Sequence, residues 1–385
     1  MTKKSSRKKK GWKDRLRQKR MKYQKAIEAH QTRMERKLTE KSSKKWRTSK
    51  IILAVCLLTI TLSIYVAWQY TKPPTTNPTG QEGSPQQTPE SPSQVIYIWP
   101  DGRVDPTTAP ITKVNENYYK LTDNVTLPII ILKENILIDG AGYFLKGNGT
   151  IGSKGIDLSY RQNVTVTNLK IEGFDYGIYL DSTTNAVISN NELIHNYCGV
   201  WLTSASHNDI NSNNISKNNY GIWLNNSTGN FIAKNTITNA NFTIYFKFSN
   251  NNTIYYNTLA SSRLGIFLYS SLNDTISNNS ITQNHEGIHI LNSTQNLITL
   301  NNITQNDIGI SFDESSNNTT HHNNFIDNTD HANIQNSTNI WDDGEEGNYW
   351  SDYNGPDADD DGIGDTPYII DEKNQDMYPL TKPIS

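Results

Sequence analysis

From Gly155 onward the apolar residues of the chain fall on a grid of 22. Gly155, Gly177, Gly199, Gly221, Gly265, Gly287 and Gly309 share one register, and Thr243 fills the place where a glycine is missing. Counting the glycine as position 1, position 2 reads Ile156, Ile178, Val200, Ile222, Ile244, Ile266, Ile288 and Ile310. Position 4 reads Leu158, Leu180, Leu202, Leu224, Phe246, Leu268, Ile290 and Phe312, and positions 12 and 17 are apolar as well (Ile188 and Leu193, Ile210 and Ile215). Apolar residues two apart argue a short strand with one inward face, and the isolated ones further on argue two more. A fixed period of this size means stacked coils, each burying a face that it cannot bury alone. Eight coils cover 155–330 without an insertion.

The polar positions choose between two solenoids. Leucine-rich repeats have a similar period and also stack asparagines, but they need a helical segment in each repeat. Here Asn supplies 36 of the 176 residues in 155–330, and Asn is a poor interior helix former. The pattern therefore predicts an all-β fold, a right-handed parallel β-helix with 22-residue coils. Coils ~4.8 Å apart stack identical residues directly, so eight of them span ~38 Å. Position 15 is Asn in seven successive coils (Asn191, Asn213, Asn235, Asn257, Asn279, Asn301, Asn323), and position 7 is Ser in five, from Ser227 to Ser315. Such ladders are expected to satisfy backbone groups at the turns, which is a structural role.

Upstream the composition changes. Residues 1–50 hold 21 Lys/Arg against 4 Asp/Glu, while the rest of the chain holds 15 against 34, so the net charge of -2 conceals two opposite halves. Ile51 to Trp68 carries no charge, with Tyr65, Trp68 and Tyr70 at its far end. This reads as a single transmembrane helix over 51–70, a signal-anchor with no cleavage motif after it. The flanking Lys44, Lys45, Arg47 and Lys50 place residues 1–50 in the cytoplasm and the β-helix outside the cell. Lying against the anchor, the basic head is expected to meet anionic inner-leaflet lipid rather than nucleic acid. Residues 71–94, rich in Pro, Thr, Ser and Gln, form a linker. An N-terminal cap with the first coils (95–154) and a C-terminal cap (331–385) complete the division.

Four stretches carry a resemblance: IYIWPDGRVDPTTAPI (96–111), NILIDGAGYFLKGNGT (135–150), the 22-residue coils, and GNYWSDY with DGIGDTPYIID (347–371). Over about residues 95–382 the chain resembles archaeal surface proteins of the NosD-like β-helix class. That class falls within the carbohydrate-binding and sugar hydrolysis superfamily, whose members bind, cut or scaffold sugars. The namesake proteins help mature a copper enzyme. The outer part of this chain has one Cys and one Met (Cys198, Met377), so soft donors for cuprous ion are nearly absent and the copper role does not carry over.

Four sets of residues could carry chemistry. Position 3 lies between the inward residues of the first strand and must point outward. There Tyr179, Trp201, Trp223, Tyr245 and Phe267 form a stripe suited to sugar faces, to mutual stacking, or to cover by another chain or the C-terminal tail. The last coils alone are rich enough in titratable groups for acid–base work. His285 and Asp307 share position 21 on adjacent coils, with Glu286 at position 22 and His289 and Asp313 nearby. A solvated polar edge is the plainer reading of that group. His321, His322 and His331 offer imidazole ligands, though His-Asn runs are common in such coils. Finally, Asp357, Asp359, Asp361, Ile363 (through its carbonyl) and Asp365 follow the first half of an EF-hand-like calcium loop. Tyr368 stands where the closing Glu belongs, leaving Asp371 or Asp376 to substitute; structural calcium is the expectation. Fifteen Asn-x-Ser/Thr sequons follow the anchor, among them Asn124, Asn163, Asn214, Asn241, Asn273 and Asn302, and make the chain a candidate glycoprotein. Together these residues predict a non-catalytic, extracellular glycan-binding or cell-envelope protein. The alternatives are a glycosidase or lyase, and a structural spacer.

Overall fold

Each coil makes three strands because its apolar residues come in three groups separated by bends. In the coil beginning at Gly177 the strands are Tyr176–Asp181, Val187–Ser189 and Glu192–Ile194. Each pairs in parallel with its counterpart 22 residues later: Ile178 with Val200, Ile188 with Ile210, Leu193 with Ile215. The computed structural model describes residues 95–384, and these form a right-handed parallel β-solenoid with sheets of 12, 11 and 10 strands. The residues at positions 2, 4, 12 and 17 point inward and fill the core; Ile178, Leu180, Ile188 and Leu193 are fully buried. The glycine column answers a close approach, since a Cβ on Gly177 would sit 2.7 Å from the carbonyl oxygen of Gly199. At the exception, the Thr243 hydroxyl donates to the Gly265 carbonyl.

The bends explain the asparagine content. Positions 6, 9, 14 and 19 take the left-handed conformation, as Ser182, Asn185, Asn190 and His195 do in this coil. That conformation costs an ordinary side chain ~1–2 kcal/mol and Asn less. The residue after each bend points inward, where a polar group must find partners. Three asparagine ladders result, at positions 10, 15 and 20, beside the serine ladder at position 7. In the middle one, Asn235 Oδ1 accepts from Asn213 N (3.0 Å) and Nδ2 (2.9 Å), while its Nδ2 donates to Ile210 O (2.8 Å) and Asn257 Oδ1 (3.0 Å).

Both ends of the stack are closed. At the first, Ile96–Ile98 pairs in parallel with Ile129–Ile131 and antiparallel with Val104–Asp105, and the hairpin Ile111–Asn115/Tyr118–Leu121 covers the neighbouring sheet. At the last, Trp350 stacks between Phe325 (4.4 Å) and Tyr368 (4.3 Å), with Trp341 buried beside it. Asn339, Asn348 and Asn374 continue the ladders out of period: Asn318 N bonds to Asn339, Asn323 N to Asn348, and Asn339 N to Asn374. No helix among the described residues is long and apolar enough to cross a membrane. The predicted head (1–50), span (51–70) and linker (71–94) lie outside the described residues.

Candidate functional site

The first strand of a coil runs from position 22 to position 5. In the strands beginning at Tyr176, Tyr220 and Phe242 both position 22 and position 3 face outward because the tight pair between them turns inward, whereas Cys198 and Leu264 at position 22 are buried. The aromatic stripe is therefore two columns wide. Trp201 packs on Trp223 (4.0 Å), Trp223 on Tyr245 (5.1 Å) and Tyr245 on Phe267 (5.1 Å). Tyr176, Tyr220 and Phe242 of position 22 fill the second column; Tyr220 lies 4.4 Å from Trp223 and stacks on Phe242 at 5.0 Å. Tyr179 joins through Tyr176 (5.3 Å) rather than through Trp201. Its face is covered by Lys154 Nζ, 3.7 Å from the ring centre and paired with Asp157 at 2.7 Å. The free part of the band is thus Trp201, Trp223, Tyr245 and Phe267, all half-buried. The second column is a repeat signal that the sequence carries at position 22 and that the one-column reading overlooks.

The band ends on titratable groups. His289 meets Phe267 edge-on at 5.1 Å, and its Nδ1 lies 2.9 Å from Glu286 Oε2. That imidazole holds the Glu286 carboxyl below the usual range against the opposing effect of burial. His285 sits outside the strand and pairs instead with Asp307, Nδ1 to Oδ2 2.8 Å, at an exposed edge. The three residues considered for acid–base chemistry are split between two separate pairs, and Asp313 sits beside Leu291, not His289.

The acidic loop folds on itself. One oxygen each of Asp357, Asp359 and Asp361 lie within 4.8 Å of one another. Asp357 accepts from the backbone of Asp361 (3.1 Å) and Gly362 (3.2 Å), and Asp365 Oδ2 accepts from Ala358 N (2.8 Å). Ile363 is bridged to Leu380 and gives its N–H to Asp361 Oδ1 (2.8 Å). Neither substitute for the closing Glu is available. Asp371 binds Asn374 Nδ2 at 2.8 Å, and Asp376 is buried under the cap, accepting from Asn348 N (2.7 Å) and Trp350 Nε1 (2.9 Å). Burial pushes the Asp376 carboxyl up to about 6.

The three late histidines separate. His331 is buried against Trp350, with Nε2 3.3 Å from Asp352 Oδ1. His321 and His322 stay together and meet Asp343, a carboxylate from the cap that sequence spacing does not connect to them. Burial lowers the affinity of His321 for a proton, and backbone N–H groups of Glu346 and Glu345 keep Asp343 ionised. Cys198 is buried, donates to Val200 O (3.4 Å), and has its thiol pKa pushed up by burial.

Comparison with known proteins identifies the architecture. No curated protein matches the chain. Among solved structures, it is similar to the DFA-IIIase of Arthrobacter chlorophenolicus A6 in complex with GF2, at 12% identity and a TM-score of 0.50 over 60% of this chain and 69% of that one. It is also similar to the periplasmic alginate epimerase AlgG, at 15% identity and 0.46 over 60% and 80%, and to the tailspike protein 2 of Bacteriophage CBA120, at 14% and 0.48 over 58% and 43%. At 12% identity the likeness to the DFA-IIIase is one of fold. The family described as "Periplasmic copper-binding protein (NosD)" matches residues 129–264 and 259–355. With more than half of its length matched, from the early coils into the closing cap, the chain belongs to the NosD family.

Proposed function

We propose that this chain is a non-catalytic surface protein whose β-helix binds an extended glycan along the aromatic band, held at the membrane by residues 51–70. The continuous band carries this reading: Trp201, Trp223, Tyr245 and Phe267 present half-buried rings at coil spacing on one flat sheet. Rings in a row suit the apolar faces of successive sugars, and a contiguous exposed apolar strip usually marks a contact surface. Residues 1–50 face the anionic inner leaflet, and 71–94 serve as a stalk. The six sequon asparagines named above are exposed, which suits glycosylation.

Cleavage is the weaker alternative. A glycosidase needs one carboxyl that keeps its proton near neutral pH. Glu286 is shifted the other way by His289, and Asp307 is exposed and engaged by His285. The family description names copper, and in its cuprous form that ion lacks soft donors here: Cys198 is enclosed and Met377 stands apart, half-exposed. The acidic loop is better matched to structural calcium, through Asp357, Asp359 and Asp361.

Retention on polysaccharide columns tests the main reading. Wild type should be retained, and Trp201→Ala with Trp223→Ala, checked as folded by circular dichroism, should elute unretarded. Equal retention would remove the band as the binding surface. For calcium, chelation should lower the melting temperature and Asp359→Ala with Asp361→Ala should abolish that response; saturation at a hundredfold excess over Kd contributes about 2.7 kcal/mol. Calorimetry that detects no calcium uptake at millimolar concentration would reduce the loop to a turn.

A further inference from the structure

Consecutive residues of a strand point to opposite faces. His321 and His322 escape that rule because His321 closes the strand Thr319–His321 and His322 occupies the left-handed bend after it, at φ 55°. The bend brings the two Nδ1 atoms to 2.7 Å. Nitrogens that close require a lone pair on one side. Glu346 decides which, since its Oε2 lies 3.0 Å from His322 Nε2. The proton therefore sits on that Nε2, and His322 Nδ1 is the bare atom, accepting from His321 Nδ1. The loop carrying the carboxylates is pinned in place. His322 N donates to Gly347 O (2.6 Å), and Asp343 Oδ1 accepts from Glu345 N (2.9 Å) and Glu346 N (2.8 Å). Asp343 Oδ2 is left facing His322, 4.0 Å from Nε2. One nitrogen of each histidine and one oxygen of Asp343 lie within 4.8 Å of one another.

We propose that His321, His322 and Asp343 bind a divalent transition-metal ion of the zinc class, with Glu346 as a positioning residue. Two imidazoles and a carboxylate are borderline donors suited to zinc, and three protein ligands leave a fourth position open. Ligands ~2.05 Å from a tetrahedral zinc lie roughly 3.3 Å apart. The rings thus part by about half an ångström as the ion takes the place of the proton between them, and that proton passes through solvent to His321 Nε2, so both imidazoles stay neutral. Glu346 then orients His322 from behind, as carboxylates do in carboxylate–histidine–zinc arrangements. His322 also lines a groove of about 540 Å³ together with Tyr256, Asn302 and Ile384, which gives an ion a route in.

The test is calorimetric titration of zinc chloride into the chelator-stripped full-length chain, with Asp359→Asn and Asp361→Asn present so that the acidic loop does not compete. One zinc should bind per chain. His321→Thr with His322→Asn should weaken it at least ~100-fold, and Glu346→Gln by ~10–100-fold. Thr and Asn occupy these same positions in other coils, at Thr299 and Asn278, so the double variant should melt like its parent without zinc. Independently, zinc should shift the Nδ1 resonances of His321 and His322 in nitrogen NMR and leave those of His331 in place. No uptake at 0.1 mM zinc, undiminished binding by the double variant, or shifts confined to other histidines would each overturn the proposal.

Discussion

Two columns of stacked side chains, one inside the solenoid and one outside, share the same coil spacing and obey different rules. The inner column at position 15 is asparagine without exception through seven coils, and each amide is bonded to the coils above and below. The outer band mixes Tyr, Trp and Phe, and the indole N–H groups of Trp201 and Trp223 are enclosed without an acceptor. Directional bonds make the first column intolerant of change, because each member completes its neighbours. Ring packing is less particular, so the second column tolerates exchange among aromatics and remains free to serve as a surface.

The strongest challenge to this contrast is a break in the inner column. Asn235→Ala would orphan Asn213 N, a buried donor at ~1–3 kcal/mol, and remove the amide's bonds to Ile210 O and Asn257 Oδ1 at ~0.5–1.5 kcal/mol each. A loss of about 4 kcal/mol is expected in urea unfolding; a loss below ~1 kcal/mol would show that water or relaxation replaces the ladder.

Asp274 offers a break already present in the chain. It stands in the position-10 ladder, where Oδ1 accepts from Asn252 N (2.8 Å) and Nδ2 (3.2 Å) but Oδ2 is buried without a partner. Burial pushes its carboxyl up to about 8 from 3.8. The folded chain therefore holds a proton that the unfolded chain releases between about pH 4 and pH 8. Stability from this site is fully present below pH 4, declines through that window and levels off above it. Asp274→Asn restores the amide that Asn252 and Asn296 carry. It should stabilise by on the order of 2–4 kcal/mol at pH 7, with little gain at pH 4. A gain independent of pH, measured by melting across this range, would refute the assignment.

The smallest expected effect concerns the bends that aim both columns. Leu300 adopts φ 58° at position 14, where Asn168, Asn190 and Asn278 stand in other coils. Leu300→Asn should raise stability by about 0.5–1 kcal/mol, since Asn enters the left-handed region at lower cost. An unchanged melting temperature would mean that the exposed leucine gains as much from its surface contacts.

The legible parts of the molecule are those that recur. The glycine grid and the inward Ile and Leu pointed to the β-helix, and the unbroken asparagines pointed to the ladder. The ladders at positions 10 and 20 were harder to see because Asp274, Ala240 and Ser262 interrupt them. The bend positions were hidden altogether, since residues as different as Phe248, Leu300 and Glu314 share one backbone conformation there. The second aromatic column escaped because a Gly–Ile pair, not a single residue, separates the two outward positions of the strand.

The sequence by itself determined the coil, because a period of 22 can bury its apolar residues in one way only, by stacking each on its own copy. Tertiary structure alone decided what breaks the period. The cap folds back over the last coils, so Asp343 reaches His321 and His322, and Asp376 goes under Trp350 rather than to the acidic loop. Repetition fixes a neighbour by arithmetic; where the chain leaves the repeat, packing and hydrogen bonding choose the partner.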